Sequence, residues 1–269
     1  MDNKDNNLKM NLSKNELNEF LNEKYNLYNN LKFIETDPIQ IPHLFTTKED
    51  IEIAGFLTAT IAWGQRVTII NNATRMMKLM GSSPYDFLMR AKEKDLIRFN
   101  DFVHRTFNGV DAVFFMKSLQ NIYKKHEGLE QVFVSTEPEG DSPLLYAIMN
   151  FRNIFFSIPS PSRSGKHVSN PAENSSAKRL CMYLRWMVRK DKRGVDFGIW
   201  NGTHIKPAQL MCPLDVHSGN VARKLGLLQR TQNDWKAVEE LTANLRTFDP
   251  NDPVKYDFSL FGLGAFEKF

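Results

Sequence analysis

The sequence predicts an all-α protein, and three observations carry that expectation. Apolar residues recur at helical spacing in segment after segment, whereas sustained alternation of apolar and polar residues is scarce. Most of these segments begin with a capping residue or with a proline at the first helical position. With 269 residues and 42% hydrophobic side chains, the chain can bury a core as one large domain or two small ones.

The elements follow in order. The start, Met1 to Lys14, is polar and Asn-rich, which fits neither a signal peptide nor a membrane anchor. Ser13 and Glu16 form a capping box for a helix carrying Leu17, Phe20, Leu21 and Tyr25 on one face. Asp37-Pro38 to Pro42 breaks the chain. Thr47 caps a helix to about Trp63, whose Ile53, Leu57, Thr60 and Ile61 face a core. The short link Gly64-Gln65-Arg66 joins it to a helix from Val67 to Met80.

Further starts fall at Ser83-Pro84, running to about Ala91, at Asp111, running to Lys125, and at Ser142-Pro143, running to Ile158. From Ser157 to Ser176 the chain is dense in Ser, Pro and Asn, and it sets Arg163, Lys166 and His167 against one acid, Glu173. This is a long loop of the kind that carries function or stays unstructured. A helix from Ser175 to Lys190 follows, then Val195 to Trp200, which reads as a short strand or a turn. Asp215 caps a helix from Val216 to Leu225, and a last helix runs through Ser259 to Gly264.

Composition narrows the partners. The formal charge is only +4, so any polyanion-binding surface has to be local. Cys181 and Cys212 sit in apolar surroundings without CxxC spacing, which fits reduced, buried thiols and argues against an iron-sulfur or zinc centre. No stretch reaches the ~18 to 20 uninterrupted apolar residues of a spanning helix, and the cytoplasm is the expected location.

The most informative pair is Lys178 and Asp215. On the lysine helix Leu180, Leu184 and Met187 form an apolar stripe widened by Ala177, Cys181 and Val188, with Lys178, Arg185 and Arg189 roughly opposite. The plain interpretation is a solvated basic face. Met182, Tyr183 and Trp186 make the helix apolar nearly all round, so the lysine's surroundings should be partly dry. A dry neighbourhood disfavours the ammonium and lowers a lysine pKa from its usual ~10.4, and Arg179 next door pushes the same way. Asp215 caps its helix, and backbone N–H groups there favour the anion. An amine and a carboxylate so placed can attack and stabilise a sugar carbon.

The run Lys178-Arg179-Leu180-Cys181-Met182-Tyr183-Leu184-Arg185-Trp186-Met187, followed by Pro213-Leu214-Asp215-Val216-His217, resembles the C-terminal half of the helix-hairpin-helix DNA glycosylase superfamily. The spacing of lysine and aspartate looks most like the archaeal 8-oxoguanine glycosylase branch. The run itself also resembles a bacterial family typified by Lys-Arg-Leu-x-Met-x-Leu-Arg-Trp-Met. The resemblance implies a two-lobed helical fold: an arm over 1–45 packed on a C-terminal lobe of 191–269, and a lobe of 46–190 bearing the lysine. It implies base-excision repair of damaged DNA, with an oxidised purine as one candidate lesion, by a glycosylase with AP lyase activity, with Lys178 attacking C1′ and Asp215 supporting the sugar cation. It implies extrusion of the target nucleotide into a pocket, and no metal, organic cofactor, membrane or obligate protein partner.

Ile61-Ala62-Trp63-Gly64-Gln65 is similar to the family's early helix end, which makes Gln65 a DNA contact. The family's Gly-x-Gly phosphate hairpin is replaced by Asn170 to Ser176, where Glu173 would repel a phosphate. Ser175 and Ser176, with Lys166, Arg179 and Arg185 nearby, are the substitute anion contacts. Trp63, Trp186, Trp200 and Phe261 are the aromatic residues available to stack a flipped base. Two other readings stay open: a DNA-binding module that has lost the chemistry, and a different enzyme on the scaffold using Asp191, Asp196 or His204.

Overall fold

The computed structural model describes residues 12–134, 142–200 and 204–269. The polar chain start before residue 12, whose composition fits neither a signal peptide nor an anchor, lies outside the described residues. Ser13 and Glu16 close their capping box, and α1 runs Lys14–Tyr28 with Leu17 and Leu21 buried. After a short α2, Leu31–Ile34, Asp37 accepts the Ile39 amide and starts the first of two 3-10 turns, Pro38–Gln40 and Pro42–Leu44.

Helix α3, Lys48–Thr60, runs through the core, and Ile51 to Thr60 are all buried. It is joined by α4, Arg66–Leu79, α5, Pro84–Arg90, and α6, Glu93–Leu96. A two-residue antiparallel pair, β1 Val103–His104 with β2 Phe107–Asn108, leads into α7, Gly109–Lys125. Asn108 is the cap of α7, and Asp111 closes the box from inside the helix rather than starting it. Helices α8, Leu129–Val132, and α9, Pro143–Phe155, complete the run to the long loop. Phe56 of α3 sits in an aromatic cluster with Phe115, Phe151, Phe155 and Tyr183 at ring separations of 5.4 to 6.0 Å.

The long loop holds two 3-10 turns, Ser162–His167 and Pro171–Glu173. It is pinned by buried Asp111, which accepts from Ser164 Oγ at 2.7 Å and lies 3.2 Å from both Arg163 and His167. The lysine helix α10 is shorter than the apolar pattern implied, Lys178–Val188. It packs along α3, where Gly55 lets the two approach: a Cβ there would stand 3.1 Å from Met187 Cε.

After α10, residues 195–200 form no strand. Phe197 and Gly198 donate to the Trp186 carbonyl and Trp200 to that of Met187, so the segment folds back on the helix end as a turn. Then come α11, Val216–Lys224, α12, Trp235–Arg246, a 3-10 turn at Pro253–Tyr256, and α13, Asp257–Ala265. Helix α12 had not been read from the sequence. Helix α13 packs between α1 and α11, and Gly262 makes the first contact possible, because a Cβ there would fall 2.1 Å from Tyr28 Cδ2. The N-terminal arm is divided: α1 lies on α13, whereas 38–44 lies on α3 and α4. No helix among the described residues is long and apolar enough to cross a membrane.

Two members of the basic face expected on α10, Arg185 and Arg189, are buried instead. Arg189 is 0% and Arg185 4% exposed, because their charges are met inside the protein. Arg189 binds Asp252 at 3.0 Å, Asp191 at 2.6 Å, Asp196 at 2.9 Å and the Tyr25 hydroxyl at 3.0 Å. Arg185 binds Asp196 at 3.2 Å and also Asp257. Guanidinium groups suit such a site because their fixed fork of donors can serve several carboxylates at once.

Candidate active site

Lys178 is the first residue of α10, and Asp215 is the cap of α11. Ala177, buried and in the left-handed region at φ 46°, turns the chain into α10 and sets the lysine at its head. The Lys178 amine lies 3.7 Å from Asp215 Oδ2 and 3.8 Å from Met182 Sδ. Both charged side chains stay partly exposed, at 26% and 33%.

The aspartate divides its two oxygens. Oδ1 accepts the backbone N–H groups of His217 at 2.9 Å and Ser218 at 3.0 Å, which satisfies the helix start. Oδ2 faces the amine. Capping and pairing therefore coexist on one carboxylate.

The pair opens into a cavity of about 700 Å³. Helix α10 contributes Lys178, Arg179, Met182, Arg185 and Trp186; the α11 start contributes Pro213, Asp215, His217 and Ser218; α13 contributes Asp257 and Phe261. Asp37, Pro38, Trp63, Gly64 and Arg66 close other sides. The Arg66 guanidinium stacks on Phe261 at 4.8 Å and Phe266 at 4.9 Å. The indole nitrogens of Trp63 and Trp186 are buried without a hydrogen-bond partner among the described residues.

Electrostatics here are mixed. Burial pushes Asp257 up to about 6, against the pull of Arg185 and Lys178. Burial likewise raises the Asp37 pKa, opposed by the Ile39 amide and by Arg185, Lys178 and Arg66. Arg179 donates to the Thr60 carbonyl at the end of α3, and burial brings its pKa down to about 10. Among the described residues no group of three or more His, Cys, Asp or Glu side chains is arranged to hold a metal ion.

The other residues singled out from the sequence fall in different places. Trp63, Trp186 and Phe261 line the cavity, but Trp200 does not: it packs on Phe133 and Tyr183 and donates to Glu52 at 2.7 Å. Arg185 is not the exposed phosphate contact expected, since it is buried and bound to two carboxylates. Gln65 caps α4 as an exposed residue between Gly64 and Arg66 of the cavity wall. Lys166 is exposed on the loop's first 3-10 turn.

Ser175 and Ser176 are half-buried and off the cavity wall, and Ser175 Oγ accepts the Ala177 amide at 3.2 Å. Asp191 and Asp196 are held by Arg189, and His204 meets Gln131 at 3.1 Å, so none of the three belongs to the cavity. Sequence reasoning missed Asp37, Arg66 and Asp257 as cavity residues. Only Asp37 carried a signal, the Asp-Pro chain break, and that signal speaks of a turn rather than of chemistry.

No curated protein matches the chain, and no solved structure does. A family model matches residues 37–266, a span that holds every cavity residue named above, and the protein belongs to the family described as Protein of unknown function (DUF2400).

Proposed function

We propose that the protein removes a damaged base from DNA and cleaves the strand at the resulting site, as a glycosylase with AP lyase activity on a two-lobed helical scaffold. One observation carries this reading. A lysine amine and an aspartate oxygen from separate helices meet at 3.7 Å on the wall of a shared cavity. That cavity, about 700 Å³, falls within the roughly 300 to 1,000 Å³ typical of small-molecule sites. Apolar and aromatic walls with a few convergent charges suit a flipped base.

The chemistry runs as follows. Lys178 loses a proton to Asp215 Oδ2 or to water, and its nitrogen attacks C1′. The C1′–N bond to the base breaks, its electron pair leaves with the base, and Asp215 offsets the positive charge developing on the sugar. The C1′–O4′ bond then breaks, O4′ takes a proton from the attached nitrogen, and Lys178 carries a protonated imine. A C2′ proton passes to water as the C3′–O bond breaks and the 3′ phosphate leaves, and hydrolysis of the imine frees the lysine.

Borohydride reduction of the imine tests this directly. Wild-type protein incubated with abasic or lesion-bearing duplex should form a covalent adduct. Lys178→Gln should form none while keeping Tm within a degree or two, because a partly exposed lysine adds little packing. Exposed Lys94→Gln should behave as wild type. An adduct that survives in Lys178→Gln would overturn the assignment.

A further inference from the structure

Among the described residues three carboxyl groups line the cavity, those of Asp37, Asp215 and Asp257. Two are engaged. Asp257 is paired with Arg185, and Asp215 spends one oxygen on the α11 cap and turns the other to Lys178. Asp37 differs. Its Oδ1 accepts the Ile39 amide at 3.0 Å, and its second oxygen has no hydrogen-bond or ion-pair partner among the described residues.

The other charged or titratable groups of the cavity wall are Arg66 from α4, Lys178, Arg179 and Arg185 from α10, Asp215 and His217 from the α11 start, Asp257 from α13, and Lys268. Burial favours its protonated form. The three basic neighbours Arg66, Lys178 and Arg185 favour the carboxylate, so a proton held there can also be given up.

Base excision leaves one requirement unmet by Lys178 and Asp215. When the C1′–N bond breaks, its electron pair collects on the base, and a base anion departs slowly unless a proton meets it. Resting on the base-excision reading, we propose that Asp37 is the general acid that protonates the departing base. The proton moves from the free Asp37 oxygen to a ring nitrogen or carbonyl oxygen of the base, which leaves neutral. The resulting carboxylate faces Arg66, Lys178 and Arg185, and solvent reprotonates it before the next turnover.

Asp37→Asn tests the assignment, because Asn can still accept the Ile39 amide and hold the turn. The probes are an abasic duplex, which has no base to protonate, and a panel of duplexes carrying an oxidised purine, an oxidised pyrimidine, an alkylated purine or uracil. On the duplex that wild type processes fastest, Asp37→Asn should slow base release by about 100-fold or more. Wild-type release should fall as pH rises through the Asp37 pKa, and that fall should vanish in the variant. Borohydride adducts with the abasic duplex should form alike in both.

Base release by Asp37→Asn at the wild-type rate overturns the proposal, as does an equal loss of abasic adduct, which would mark a structural role. A wild type that traps the abasic duplex but releases no base from the panel overturns the general acid and the glycosylase half of the reading, and leaves the lyase half standing. A wild type that forms no abasic adduct overturns the base-excision reading as well.

Discussion

At the scale of single residues, Asp215 meets a helix start and a neighbouring amine with one carboxylate. Its Oδ1 holds two backbone N–H groups, and Oδ2 meets the Lys178 amine. Asp215→Asn keeps an oxygen for the cap but removes the negative charge. We expect Tm to hold within a degree or two while strand cleavage falls by about 100-fold or more, read by single-turnover cleavage of an abasic duplex. A large fall in Tm with an unchanged rate would return Asp215 to a purely structural part. Both partners of the pair were legible in the sequence, since a lysine at a helix head and an aspartate before an apolar helix leave local marks. Arg185 misled for the opposite reason: helical spacing placed it opposite the apolar stripe, and only Asp196 and Asp257, distant in sequence, turn that position into an interior.

At the scale of elements, helix starts were legible and helix ends were not. The Ser13–Glu16 box and the Pro84 and Pro143 starts are local chemistry, readable within a few residues. The end of α10 depends on residues 197–200 folding back to bind the Trp186 and Met187 carbonyls, which no local pattern encodes. Helix α12 did carry a local signal, the Asp234 cap followed by Trp235, Val238, Leu241 and Leu245 on one buried face. Between elements, Gly262 decides how closely α13 approaches α1 at Tyr28. Gly262→Ala should cost about 1 to 3 kcal/mol by overpacking, measured by urea unfolding. Tyr28→Ala in the same chain should make the added methyl less costly than it is alone, and strictly additive losses would show that Tyr28 is not its obstacle.

At the scale of the whole molecule, helices distant in the chain are linked by buried charge as well as by apolar packing. Arg189, fully buried at the end of α10, joins Tyr25 of α1, Asp191 and Asp196 of the following turn, and Asp252 before α13. Replacing it with Met leaves three carboxylates without their common partner. The expected loss is about 3 to 5 kcal/mol, read as a lower urea midpoint at pH 7. A variant as stable as wild type would mean that the carboxylates find water or become protonated at no cost.

Helical class, most helix starts and the identity of the lysine and aspartate were determined by the sequence alone, because periodicity and capping act over a few residues. The meeting of Lys178 with Asp215, the inclusion of Asp37, Arg66 and Asp257 in the same cavity, and the burial of Arg185 and Arg189 were decided only by tertiary structure. Those features join residues far apart in the chain, and the burial and charge pairing behind them exist only once the helices have packed.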